Sequence, residues 1–288
     1  MDRNAKPIVV GVDGSSGSDS ALEWSLREAQ LSGVSLVLLH SIPRPPDAGH
    51  DDALQEARER SDRAIAHSRE IATNYEGVNF SVRRMEALGL TPAAAMVKAS
   101  EAAAVVVVGA RGHGGFAGLL LGSVSQHAAR HAACPVVTVR APMDPGSHRV
   151  VVGVDGSASA EKALTYALDH AHLRNGEVTA ILGWRGPTLH GMGVAVPVTR
   201  DTTQQQQQQR HQDQLEEWLA PWRTKFPDVK LIGEAIPGHA GRLLIDASQH
   251  ASLVVVGSRG RGAFAGLLLG SVGQAVLDHA RCPVAVVR

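Results

Sequence analysis

Short, unbroken apolar runs alternate with longer stretches of helical periodicity along the whole chain. Ile8 to Val12 is such a run and stops at Asp-Gly, which predicts a strand buried on both faces. From Ser18 to Leu31, the residues Ala21, Leu22, Ser25, Leu26 and Ala29 fall on one face at helical spacing. Leu36 to Ile42 is a second strand, and Asp52 to Thr73 a charged, Ala-rich helix with one apolar stripe. Asn79 to Ala87 is a third strand, and Pro92 to Ala102 a short helix with proline in its first turn. Ala104 to Val108 is a fourth buried strand, Ser123 to His131 a helix, and Pro135 to Val139 a last strand. This alternation predicts an α/β fold with a doubly wound parallel sheet and helices on both faces.

The pattern then repeats. VVGVDGS occurs at Val9 to Ser15 and again at Val151 to Ser157, 142 residues later. GARGHGGFAGLLLGS at Gly109 matches GSRGRGAFAGLLLGS at Gly257 in 12 of 15 positions, 148 residues later. A period of this size is a tandem duplication of a domain, not a solenoid. Matching strands are expected at Val151–Val154, Val178–Gly183, Lys230–Ile236, Leu253–Val256 and Pro283–Val287. The boundary falls in the Pro/Gly/Ser stretch APMDPGSH. It gives domains at residues 1–142 and 148–288, with 143–147 as linker. Pro187 to Thr203 has no regular pattern. The six glutamines from Gln204 to Gln209 are expected to form the exposed start of the second domain's long helix.

Composition narrows the classes. The chain has 288 residues, 44% of them apolar, which suits two domains with real cores. Lys plus Arg equals Asp plus Glu at 28 each, so no global field attracts nucleic acid or an anionic membrane. No apolar run is long enough to span a bilayer, and the first residues do not read as a secretory signal. Cys134 and Cys282 occupy equivalent places before Pro-Val and read as small buried hydrophobes, which fits the cytoplasm.

The candidate chemistry lies in the glycine loop. Glycine lets the backbone turn and lets a ligand approach the bare chain. A helix start presents unpaired N–H groups and a partial positive charge. Ser123 and Ser271 are placed to cap their helices or to offer a hydroxyl to an anion. Strand, glycine loop and helix start together make a phosphate cradle, and Arg111 and Arg259 within the loop either add charge to it or face solvent. If the first and fourth strands are neighbours, Asp13 lies beside Gly109 and Asp155 beside Gly257 at the ligand-binding edge of the sheet. Ile42 and Trp184, closing the second strands, are then placed to pack on a base. Neither loop carries the Gly-Lys-Ser/Thr of a P-loop, and neither follows the first strand as a dinucleotide fingerprint would. His127 and His131 are four apart on a predicted helix, but Ala275 replaces the first in the second copy, so they read as surface residues and not as metal ligands.

VVGVDGS opening each half, G-x2-G-x9-G-S and the closing CPVVTVR and CPVAVVR together resemble the universal stress protein family in its tandem two-domain, ATP-binding form. The resemblance implies two flavodoxin-like (Rossmann-like) domains, each with a five-stranded parallel sheet of order 3-2-1-4-5. It implies ATP, with Mg2+ as an optional companion, between the first and fourth strands. Asp13 and Asp155 would contact the adenosine part, and Ile42 and Trp184 would lie on the adenine side. Gly109, Gly112, Gly122 and Ser123, like Gly257, Gly260, Gly270 and Ser271, would hold ribose and phosphates, with backbone contacts from Val124 and Val272. The family's habit of pairing through last strands implies that the two halves pair within the chain, and further homodimerisation is expected. His113 stands where the second loop has Arg261, so the two sites are expected to differ.

The loops offer backbone, hydroxyl and arginine groups but no water-positioning residue, so a binding and signalling protein with an unidentified protein partner is expected, not an efficient ATPase. Two other readings stay open: a slow ATPase or self-phosphorylating enzyme, and an interaction scaffold that takes no nucleotide.

Overall fold

The structure, a computed structural model, describes residues 6–43, 51–87, 91–112, 120–140, 147–184, 200–262 and 268–288. The first half runs β1 (Ile8–Gly11), α1 (Ser16–Ser32), β2 (Leu36–Pro43), α2 (Asp51–Thr73), β3 (Phe80–Ala87), α3 (Pro92–Ser100), β4 (Val105–Gly109), α4 (Ser123–His131) and β5 (Val136–Val139). The second runs β6 (Arg149–Gly153), α5 (Ala158–His172), β7 (Glu177–Trp184), α6 (Arg200–Lys225), β8 (Lys230–Pro237) and α7 (Ala240–Ala247). A single 3₁₀ turn (Ser248–His250), β9 (Leu253–Gly257), α8 (Ser271–His279) and β10 (Val284–Val287) complete it. Residues 143–146 of the proposed linker and most of the irregular stretch before α6 lie outside the described residues.

Each half has the expected parallel order, β3-β2-β1-β4-β5 and β8-β7-β6-β9-β10. The halves are joined through their last strands. β5 and β10 pair antiparallel, with Val136 opposite Val286 and Thr138 opposite Val284, so that one ten-stranded sheet crosses the molecule. β4, β5, β9 and β10 are apolar and buried, which explains their unbroken hydrophobic runs. Strand direction reverses at the β5–β10 seam. The carboxyl ends of the two halves therefore open at opposite edges of the sheet.

Register shows where the copies diverge. Ile8 pairs with Leu36 and Val150 with Val178, which makes Leu36 and Val178 equivalent. Leu36 pairs with Phe80, but Val178 pairs with Leu231, nine residues further along. The insertion thus precedes β8, and α6 absorbs part of it by starting at Arg200, ahead of the glutamines. The glutamine tract is the exposed early part of this helix, with only Gln207 and Gln208 partly covered. β8 is an edge strand, and its outward backbone groups need partners. Gln208 donates its side-chain amide to the Ala235 carbonyl. Gln212 donates to the Gly233 carbonyl at 2.9 Å and accepts from the Ala235 N–H at 3.0 Å. Arg223 donates to the Leu231 carbonyl at 3.3 Å. Long amide side chains on one helix face cap the edge that a β-strand would otherwise pair with.

The halves also meet through α1 and α5. Trp24 stacks on His170 with ring centroids 6.1 Å apart, and Tyr166 lies 6.4 Å from the same imidazole. Glu28 accepts from Arg174 and lies 3.6 Å from Nδ1 of His170. All three polar side chains are at most 10% exposed. One apolar core runs beneath them from Leu22 and Leu26 to Leu164 and Leu168. Two further cross-half bonds follow the same approximate two-fold. Arg140, just past β5, donates to the Leu277 carbonyl in α8, and Arg288, just past β10, donates to the Ala129 carbonyl in α4.

Because Arg174 already occupies the Glu28 charge, burial dominates at His170 and pushes its imidazole down to about 4. An unfolded histidine titrates near 6.5, so the folded state binds fewer protons between these values. The stability that depends on a neutral His170 is thus complete above about pH 6.5 and lost as pH falls towards 4, by at most about 3 kcal/mol. Urea denaturation of the chain against a His170→Phe variant over this range checks the slope, which the variant flattens. Removing the carboxylate with Glu28→Ala leaves Arg174 buried without its partner and costs about 3–5 kcal/mol by the same measurement.

Candidate functional site

In each half, Asp-Gly-Ser follows the first strand, and every member has a local task. Gly14 and Gly156 turn the chain with φ of 81° and 73°, a left-handed geometry that favours glycine. Ser15 and Ser157 are the N-caps of α1 and α5, accepting from the N–H of Ser18 at 3.2 Å and of Ala160 at 3.3 Å. The aspartates hold these serines. Oδ1 of Asp13 accepts from the Ser15 N–H at 3.0 Å and hydroxyl at 2.5 Å, and Oδ1 of Asp155 does the same for Ser157 at 3.0 and 2.6 Å. The second oxygen of Asp155 accepts from the Arg261 N–H at 2.9 Å. The carboxylates therefore tie the first loop to the glycine loop, and offer a ligand only their remaining lone pairs.

β1 pairs with β4 and β6 with β9, so these aspartates and the glycine loops do share an edge. The glycines divide into two kinds. A Cβ on Gly109 would run into the Gly17 carbonyl oxygen, and one on Gly257 would lie 2.8 Å from the Ser159 hydroxyl. These two let α1 and α5 pack onto the ends of β4 and β9. A Cβ on Gly112 or Gly260 would strike the Asp13 or Asp155 carboxylate, so these two let the loop close over the aspartate. Gly122 and Gly270 differ. They are the N-caps of α4 and α8, with ordinary φ of −73° and −75° and no side-chain capping bond. A Cβ at Gly270 would meet nothing closer than 3.7 Å.

Capping by Ser123 and Ser271 is corrected by the structure. Each is the first residue inside its helix, one place too late to cap, and is exposed. Their hydroxyls sit at the open helix mouths, beside the half-buried Val124 and Val272. Arg111 and Arg259 are exposed, as a charged residue facing solvent or an anion must be. The sequence reading missed two companions, Arg140 and Arg288. Burial, and then the nearby Arg111 guanidinium, holds Arg140 below its ordinary value. Burial and Arg259 do the same to Arg288. Arg140 also donates to the Leu120 carbonyl at 2.9 Å, which fixes the far end of the loop. Their signal was the arginine that ends both CPVVTVR and CPVAVVR. His40 was missed as well. It is buried and bonded to the Val12 carbonyl at 2.7 Å, and burial holds it below its usual value, so it bonds as a neutral ring and steadies the end of β1.

Ile42 and Trp184 do close the second strands, but both are buried, at 4% and 6% exposure. Trp184 stacks on His211 of α6, centroids 4.7 Å apart, so one indole face is already taken. His113 and residues 114–119 and 263–267 lie outside the described residues. Cys134 and Cys282 are buried free thiols, pushed up to about 11 and about 12 by burial, which keeps them protonated. His127 and His131 stack on each other at 4.3 Å, and among the described residues no group of three or more His, Cys, Asp or Glu is gathered for a metal. Among the described residues, no helix is long and apolar enough to cross a membrane.

Two parallel α/β halves, each with a glycine-rich loop at the carboxyl edge and fused through their last strands, define a tandem flavodoxin-like architecture. The chain belongs to the universal stress protein family, whose family model matches residues 4–140 and 146–288. It is 35% identical over 312 residues to Universal stress protein Rv2623 of Mycobacterium tuberculosis, covering 98% of this chain and 96% of that protein. Universal stress protein Rv2005c of the same organism is 35% identical over 298 residues, covering 99% of this chain and 98% of the relative. The crystal structure of a universal stress protein from Archaeoglobus fulgidus shares the fold with a TM-score of 0.70 at 21% identity, covering 100% of this chain and 99% of that one.

The two kinds of glycine predict opposite outcomes. Gly109→Ala forces α1 away from β4 and costs about 1–3 kcal/mol. Gly270→Ala meets no neighbour, and changes stability by less than about 1 kcal/mol. Urea midpoints of the two variants distinguish them.

Proposed function

We propose that this protein binds ATP in the crevice at the carboxyl edge of its parallel strands and signals through nucleotide occupancy. The observation that carries the reading is the pair of helix mouths at α4 and α8. Each opens on a glycine with no capping side chain, followed by an exposed serine. The first N–H groups of such a helix need acceptors, and its partial positive charge favours an anion. Arg111 with Arg140, and Arg259 with Arg288, add like charges that a polyphosphate would neutralise.

In this reading, Gly122, Ser123 and Val124 in the first half, and Gly270, Ser271 and Val272 in the second, take the phosphates. Gly109, Gly112, Gly257 and Gly260 shape the loop that carries them. Asp13 and Asp155 face the ribose and base end, with Ile42 and Trp184 beyond. Mg2+ would ride on the phosphates, since ATP carries it in solution. Occupancy biases an interface for a protein partner, or for a second copy of the chain, by differential affinity for two arrangements. The near-neutral charge and two buried thiols fit a cytoplasmic setting.

Aspartate at positions 123 and 271 separates binding from folding. An acidic residue at the first position of a helix stabilises it by about 0.3–1 kcal/mol. The same charge repels a phosphate. The Ser123→Asp, Ser271→Asp double variant is expected to keep or raise its Tm and to lose at least about tenfold in ATP affinity by equilibrium dialysis. Unchanged affinity overturns the reading.

A further inference from the structure

The two crevices are not equally open, and the difference lies in α6. The pairing of Leu36 with Phe80 and of Val178 with Leu231 aligns α2 with α6 through the strands they precede. On this alignment Tyr75 matches Phe226 and Val78 matches Val229, and all four pack on the same core. His67 of α2 then corresponds to Trp218 of α6, and Arg60 to His211.

In the first half, His67 bonds to Asp19 at 3.0 Å in the first turn of α1, and its side chain is 48% exposed. Arg60 pairs with Glu56 along its own helix. These are wet, polar contacts. In the second half, the Trp218 ring lies against Gly156, with two of its carbons 2.6 and 2.7 Å from where a Cβ would stand. The Arg261 guanidinium, from the glycine loop after β9, sits over that ring at 5.2 Å. The Arg261 N–H is bonded to Asp155. About two turns earlier, His211 covers Trp184. α6 is thereby fastened to the loops after β6 and β9 and to the end of β7, the elements that border the second crevice.

We infer that Trp218, seated on Gly156 beneath Arg261 and supported by the His211–Trp184 stack, is a latch that closes the second crevice, so that ATP fills the first half before the second. This rests on the nucleotide reading above. A site that is competent only when the latch opens has its apparent affinity lowered by the fraction of time it is open. A cation over an indole is worth about 0.5–2 kcal/mol, enough to make that fraction small. Gly156 belongs to the latch for a geometric reason: any side chain there would collide with the ring.

Calorimetric titration of the full chain with Mg-ATP tests this. The unaltered protein is expected to take one equivalent tightly and a second at least about tenfold more weakly. Trp218→His installs the first half's residue at this half-buried place on α6, and Arg261→Ala removes the cation from an exposed one. Either is expected to bring the second equivalent to within about threefold of the first. Titration followed by tryptophan emission is expected to show its change at the second, weaker equivalent in the unaltered chain. Two equal sites in the unaltered protein, or a second site that neither variant strengthens, overturns the latch while leaving the nucleotide reading intact. No binding by any of the three proteins overturns the nucleotide reading itself, and the latch with it.

Discussion

The antiparallel pairing of β5 with β10 is the constraint on which the rest of the molecule depends. Alone, each half would end in a short, buried and largely apolar strand with an open edge, a template for unwanted pairing. Joining the two edges removes both liabilities and makes one sheet of ten strands. The pairing also fixes the geometry of function. Because strand direction reverses at the seam, the loops at the carboxyl ends of the two sets of strands lie at opposite edges of the sheet. Beside the α1–α5 contact, Arg140 and Arg288 link the halves, each bonded to a carbonyl in the other half's helix. α8 carries the second helix mouth at its start and receives Arg140 near its end.

The duplicated Asp-Gly-Ser has a double character. Its glycine supplies a left-handed turn, its serine caps a helix, and its aspartate anchors the serine and braces the glycine loop. A motif kept in both copies is thus explained by folding before any ligand is invoked. What folding leaves unexplained is narrower: uncapped glycines at 122 and 270, exposed serines after them, and arginines gathered nearby.

Much of the architecture was legible in the sequence because buried parallel strands leave a simple trace. Val105–Gly109 and Leu253–Gly257 are continuous apolar runs ending at glycine, and the repeat of the whole pattern identified two halves. The start of α6 was less legible, since a polyglutamine tract has no amphipathic signature until an edge strand gives its amides something to bond. The roles within the site divided similarly. A glycine announces that a side chain would not fit, but not whether helix, carboxylate or ligand fills the space. Only packing shows that α1 occupies it at Gly109 and Asp13 at Gly112. Trp184 was placed correctly at a strand end, yet its partner His211 is 27 residues away along the chain, and no local pattern connects them. Trp218 reads from the sequence as one more residue of the long helix, and its contacts with Gly156 and Arg261 were illegible for the same reason.

The contact between α1 and α5 has a consequence for how the chain can assemble. Glu28 and His170 are the same position in the two copies, and they meet near the approximate two-fold axis. If two first halves from different chains were to associate in this manner, two carboxylates would be buried face to face. Two second halves would bring imidazoles and guanidiniums together with no acid between them. Divergence at Glu28/His170 and at Ser32/Arg174 therefore makes the contact a recognition code, in which unlike halves neutralise each other's buried charge and like halves do not.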